Sequence, residues 1–213
     1  MNIKNLFSPK KVQEDPAQAK TIGKAALMQI IAEVCTDAEL IGIADTLFEF
    51  VPETFWCKAS SSTGKYHPVD ERGWMGNVRH TLKTIVVAKE MAAMSSLSVT
   101  ALNYVVIALA FHDTFKYGPD GLNQYTVHEH PVLASKFLDD ASGMFIKTDP
   151  RVFRILAKLV RTHMGRWTTS AHSDVFLDKP ETKLQKYVHM CDYIASREAF
   201  DINIDQYFGG KKS

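Results

Sequence analysis

The sequence predicts an all-α fold, and three observations carry that expectation. Apolar residues recur at i, i+3, i+4 and i+7 in one segment after another. Helix-start signals precede those segments, with Ser98, His130-Pro131 and Asp149-Pro150 the clearest. No stretch keeps up the two-residue alternation of a half-buried strand.

Taken in order, residues 1–15 carry Pro, Lys and Asp without a period and read as a flexible arm. Residues 17–35 form the first expected helix, with a stripe of Ile22, Ala25, Ala26, Ile30 and Val34. Thr36 or Asp37 can cap a second helix carrying Leu40, Ile41, Ala44, Leu47 and Phe48, which Pro52 ends. Residues 57–73, rich in Ser, with Gly64 and Pro68, read as a long loop. A helix over about residues 75–94 follows, its apolar face including Val78, Leu82, Ile85, Val86 and Val87. Ser98 then caps a core helix with Leu102, Val105, Val106 and Leu109 at helical spacing, and Gly118-Pro119-Asp120-Gly121 breaks the chain beyond it. Pro131 opens a helix that turns Leu133, Ala134, Phe137 and Leu138 inward. Asp149-Pro150 opens another with Val152, Ile155, Leu156 and Leu159, and Asp178-Lys179-Pro180 starts the last, with Leu184, Val188, Cys191 and Ala195.

The whole-chain numbers bound the function. Hydrophobic residues at 46% and charged residues at 23% are those of an ordinary globular chain. A formal net charge of +1 gives no field to recruit nucleic acid or an anionic membrane. Cys35, Cys57 and Cys191 are widely spaced with no CxxC, as expected of small buried hydrophobes in a reducing compartment. No secretory or membrane-spanning signal is present, so a cytoplasmic location with no membrane partner is expected.

The core helix carries the chemistry. Its stripe, continued by three and four residues past Leu109, lands on His112 and Asp113. An imidazole and a carboxylate at the inner end of a core helix are expensive unless a metal or a counter-charge meets them. Lys116, one turn on, can supply such a charge. A satisfied polar pair is the plainer reading of His112-Asp113 alone, but ligand-type residues also stand on other apolar helices. His80 lies early in one, His130 starts one, His163 ends one, and Asp192 sits on the inner face of the last. A collapsed bundle would bring His80, His112, Asp113, His130, His163 and Asp192 together. Mixed imidazole and carboxylate ligands suit Mn, Fe, Co, Ni or Zn better than Mg or Ca. Lys65, Tyr66 and His67 give the long loop ligand-binding chemistry, and Arg79, Arg166 and Arg197 are phosphate candidates. Trp167 could stack on a base, whereas His128, the rival to His130, is expected to point outward. His172 and His189 read as surface or packing histidines.

The order H…HD…H…H…D is similar to that of the HD-domain metal-dependent phosphohydrolase superfamily. Val78-Arg79-His80-Thr81 resembles its first-histidine segment. His112-Asp113-Thr114-Phe115-Lys116 resembles the HDxxK pattern of HDIG-like members, with Lys116 in register. His130-Pro131-Val132-Leu133-Ala134 resembles the segment in which a histidine-proline pair opens a helix, and Arg161-Thr162-His163 the later histidine. The run from Cys191-Asp192 to Arg197 resembles the terminal aspartate helix, so the likeness covers about residues 75–200. Two departures stand out: His163 is single where many relatives show a pair, and no GYP follows. They argue against a cyclic-di-GMP phosphodiesterase.

The resemblance implies an HD helical bundle over residues 75–203, with N-terminal helices and a Ser/Gly loop over 16–74 and a tail over 204–213. His80, His112, Asp113 and Asp192 would bind a first ion, and His130 and His163 could join a second, with Asp113 bridging. The expected activity is hydrolysis of a phosphoester in a nucleotide or similar small molecule, with Asp113 and Lys116 as the catalytic pair. A 3′→5′ exonuclease and a nucleotide-binding regulatory protein on an inactive HD fold are the alternatives. No dedicated nucleic-acid-binding domain is visible, and a homo-oligomer stays open.

Overall fold

A computed structural model describes residues 14–64, 67–200, 202 and 204–208, and they form an all-α fold. The helices are α1 (Pro16–Val34), α2 (Ala38–Leu47), α3 (Glu53–Cys57), α4 (Gly76–Ala93), α5 (Val99–Phe111), α6 (His130–Asp140), α7 (Pro150–Arg161) and α8 (Lys183–Ala195). Among the described residues there is no strand, only an isolated bridge between Ser170 and Ser173. No helix of those residues is long and apolar enough to cross a membrane.

Helix α5 is the axis of the molecule. Ser98 caps it by accepting from the Ala101 amide, and every residue from Val105 to Phe111 is buried. It packs against α1, α2, α4, α7 and α8, so its end at His112 lies deep inside the bundle. Helices α1 and α2 contribute to this same core.

The buried face of α1 is Ala19, Gly23, Ala26, Leu27, Ile30, Ile31 and Val34, rotated from the expected stripe. Ile22 and Ala25 face outward. Gly23 is the reason: a Cβ there would stand 3.0 Å from Trp56 and 3.2 Å from Val78, so the glycine lets α1 approach closely. The aromatic partners come from α3, a helix the sequence pattern did not reveal. Its Phe55 and Trp56 are buried, Trp56 lies edge-on to Phe48 at 5.4 Å, and Phe48 stacks on Phe111 at 4.7 Å.

Four boundaries differ from expectation or resolve it. Asp37, not Thr36, caps α2, accepting from the Glu39 and Leu40 amides. Helix α8 starts at a capping box, in which Thr182 accepts from the Gln185 amide and Gln185 reaches back to the Thr182 amide. That reciprocal pair outcompetes Asp178-Lys179-Pro180, whose Asp178 pairs with Arg161 instead. Of the expected arm, residues 1–13 lie outside the described residues, and Asp15 is the cap of α1. Of the expected tail, Ile204 and Tyr207 are buried, and the Tyr207 hydroxyl donates to Glu33 on α1 at 3.0 Å. Cys35 and Cys191 are buried, Cys57 is half-buried, and all three are free thiols.

At the surface, Glu49 ties the end of α2 to α1 through Lys20 at 2.7 Å and Lys24 at 2.6 Å. The Lys20 hydrogen bond, then that of Lys24, holds the Glu49 carboxyl down at about 2, against an ordinary 4.5. A carboxyl depressed in the folded state adds stability that is complete above its unfolded pKa and lost as pH falls through its folded one. The window therefore runs from 4.5 down to about 2. Glu49→Gln is expected to flatten the fall of Tm across that window slightly, because solvent screens an exposed pair. Thermal melts of both proteins across the window check it, and an unchanged slope would discount the clamp.

Candidate metal centre

Five separate segments deliver the expected ligands to one place. His80 comes from the second turn of α4, His112 and Asp113 from the end of α5, and His130 from the first position of α6. His163 follows α7, and Asp192 lies on α8. The four imidazoles and Asp113 are buried, and Asp192 is half-buried. The Asn77 amide donates to the Asp113 carbonyl at 3.1 Å and pins the turn that carries both α5 ligands.

Asp113 spans two groups that could each hold a metal ion, His80–His112–Asp192 and Asp113–His130–His163. Its Oδ1 lies 3.2 Å from His130 Nε2 and 3.6 Å from His163 Nε2. Its Oδ2 lies 3.3 Å from His112 Nε2 and 3.6 Å from His80 Nε2. Asp192 Oδ1 closes the first group, 3.0 Å from His80 Nε2 and 3.7 Å from His112 Nε2. Lys116 forms an ion pair with Asp113 Oδ2 and reaches the Ser60 hydroxyl at 3.4 Å.

The outer ring nitrogens decide what these inner atoms can do. His112 Nδ1 donates to the Leu109 carbonyl at 2.6 Å, His130 Nδ1 to Val127 at 2.7 Å, and His163 Nδ1 to Val160 at 2.8 Å. A carbonyl only accepts, so each of these rings donates from Nδ1 and leaves Nε2 facing inward. Yet His130 Nε2 and His163 Nε2 stand 3.1 Å apart, and His80 Nε2 and His112 Nε2 3.4 Å apart. With neither a proton nor a cation between them, two such nitrogens would set lone pair against lone pair beside a carboxylate. Outer hydrogen bonds that fix ring and tautomer are those that metal-binding histidines make. The donor set fits a divalent transition metal.

Burial works to raise the Asp113 carboxyl, but the His112 and Lys116 charges outweigh it and hold it well below the usual carboxylate range. Asp192 is likewise held low against the upward pull of desolvation, mainly by its hydrogen bond with His80. Burial would lower His80, but Glu71 and Asp192 push it up to about 9. For His130 burial wins, and the imidazole falls to about 4, neutral and ready to donate a lone pair.

The remaining candidates divide. Lys65 and Tyr66 lie outside the described residues. His67, expected to contact a ligand, is tied to Glu71 at 2.7 Å and lies edge-on to His80, in a layer behind the inner atoms. Arg79, expected to bind phosphate, spends its guanidinium on the face of Phe208, 4.6 Å from the ring centre, and so packs the C-terminal turn. Arg166 lies over Trp167, Trp167 stacks on Tyr193 at 5.7 Å, and Arg197 covers Tyr193 at 4.6 Å. This ladder adjoins Asp192 in sequence, and Trp167 remains 39% exposed. His128, the rival to His130, lies outside the cluster, half-buried, with its Nε2 facing the Thr168 carbonyl at 3.3 Å. His172 is exposed, as expected. His189 packs on Gly165, where a Cβ would stand 2.2 Å from the ring, and its Nδ1 donates to the His163 carbonyl at 2.7 Å.

Glu71 and Asn77 are the residues the sequence did not single out. Glu71 sits in a loop without periodicity, and only its place a few residues before α4 hinted at the site. Compared with protein-family models, with curated proteins and with solved structures, the chain matches none.

Proposed function

We propose that the chain is a metal-dependent phosphohydrolase of the HD type, acting on a phosphoester of a nucleotide or a nucleotide-like small molecule. The observation that carries this reading is one buried carboxylate, Asp113, set between two pairs of imidazoles whose Nε2 atoms face inward at 3.1 and 3.4 Å. His80, His112 and Asp192 would hold one ion, His130 and His163 a second, and Asp113 would touch both. Such ions, when bound, lower the pKa of a coordinated water from about 15.7 toward about 7 and draw charge from a phosphoryl oxygen. Lys116 adds a fixed positive charge at the rim of the cluster, placed to meet charge developing on the phosphate or its leaving oxygen. Arg166 and Arg197 can take further phosphate oxygens, and the exposed Trp167 offers a base an apolar face. Helices α1 and α2 are spent on the common core, and this favours a small nucleotide over a polymer.

The test is product identification by mass spectrometry. Protein loaded with Mn²⁺ is given nucleoside mono- and triphosphates, cyclic nucleotides and a short RNA. Release of phosphate or triphosphate from a mononucleotide, or opening of a cyclic one, is the expected result. Shortened RNA beside intact mononucleotides would replace this reading with the exonuclease. No turnover by metal-loaded protein would favour a binding role.

A further inference from the structure

Three of the four inward-facing imidazoles orient themselves from within their own chain segment. His112, His130 and His163 stand at helix ends, where the carbonyl three residues back is open to a side chain. His80 cannot do this. It lies inside α4, whose carbonyls are committed to the helical ladder. Its buried Nδ1 has no hydrogen bond of good geometry among the described residues. What faces that atom is Glu71 Oε2, at 3.2 Å, on a side chain with no exposure at all.

Glu71 is itself held from several sides. The same Oε2 lies 2.7 Å from His67 Nδ1. Oε1 lies 3.1 Å from Lys83 Nζ, which also pairs with Asp70 at 2.8 Å. The Glu71 carbonyl accepts from the Ser60 amide at 2.9 Å, and a Cβ on Gly76 would stand 2.1 Å from it. Residue 76 must therefore be glycine for the loop to seat this carboxylate. The Lys83 ammonium argues against reading His67, Glu71 and His80 as a further cation site, since two positive charges would share one carboxylate.

We propose that Glu71 is the positioning residue for His80: it faces the outer Nδ1 and keeps the ring aimed with Nε2 toward Asp113 and Asp192, where an ion would be held, and His67 and Lys83 hold Glu71 in place. This inference rests on the metal reading above. It gives the loop between α3 and α4 a task at the centre, namely to supply the acceptor that a mid-helix histidine lacks.

Zinc, which is diamagnetic, allows the test. In ¹⁵N-histidine-labelled, zinc-loaded wild type, long-range ¹H–¹⁵N spectra should show His80 protonated on Nδ1 and ligating through Nε2. Competition with a chromophoric chelator should show Glu71→Ala losing about 10–100-fold in zinc affinity. Glu71→Gln, which keeps one accepting oxygen, should recover part of the loss. Equal zinc affinity in wild type and Glu71→Ala, or a His80 proton on Nε2, would overturn the inference while leaving the metal reading intact. Wild type that holds no zinc would overturn both. The spectrum of the wild type needs no variant, so a Glu71→Ala chain that fails to fold leaves the test standing.

Discussion

Replacing Asp113 with alanine should cost the protein both ions and lower turnover by roughly 1,000-fold or more. The size follows from what is removed. Charge stabilisation by bound metal contributes several kcal/mol to phosphoryl chemistry. Each 1.36 kcal/mol is about tenfold in rate, so losing about 4 kcal/mol reaches that figure. Among the described residues no other carboxylate pairs with all four imidazoles: Asp113 lies within 3.6 Å of His80, His112, His130 and His163. It is also the ion-pair partner of Lys116. Asp113→Asn sharpens the argument, because the carboxamide keeps the shape but loses the charge. Its amino group, turned toward Lys116 or a bound cation, would donate where an acceptor is required. Metal content after dialysis, measured beside circular dichroism, checks the expectation. A folded Asp113→Ala chain that retains two ions per molecule would remove the bridge from the reading.

The inner cluster was legible in the sequence because each ligand sits where a helical period begins, ends or continues. His112 and Asp113 extend the stripe of α5, His130 precedes Pro131, His163 follows the stripe of α7, and Asp192 adjoins Cys191 on the buried face of α8. Periodicity plus a cap is local information, and it is enough to aim a side chain inward. What failed to show was whatever depends on close approach across the fold. The face of α1 differs from the expected stripe because Gly23, with no side chain to count in a stripe, decides the packing against Trp56 and Val78. Helix α3 was missed because five residues do not make a period. Glu71 was missed because it lies in a loop, and its burial is set by His67, Lys83 and the bare Cα of Gly76. His67 was read as a ligand-binding group from its place in the long loop and Arg79 as a phosphate candidate, whereas their partners in the fold, Glu71 and Phe208, are not given by any periodic pattern.

Metal should also stabilise the fold, and by a large amount. Its ligands come from α4, the end of α5, α6, the turn after α7, and α8, so ions held there would tie together segments far apart in the chain. Metal at about 1,000 times its Kd adds about 4.1 kcal/mol to the folded state if the unfolded chain binds none. For a chain of this size each kcal/mol moves Tm by about 2–4 °C. Stripping the ions with a chelator is therefore expected to lower Tm by roughly 8–16 °C. The difference should shrink as pH falls, since protons compete for the imidazoles and carboxylates that must bind metal unprotonated. His80 is the first to resist: Glu71 and Asp192 push it up to about 9, so a proton must leave it when metal arrives. Proton release on metal addition, followed with a pH indicator, should accompany the gain in Tm. A purely polar core would behave otherwise, because its buried carboxylates and imidazoles already neutralise one another and gain nothing from a cation. Equal melting curves with and without metal, at neutral pH, would favour that view and withdraw the metal centre.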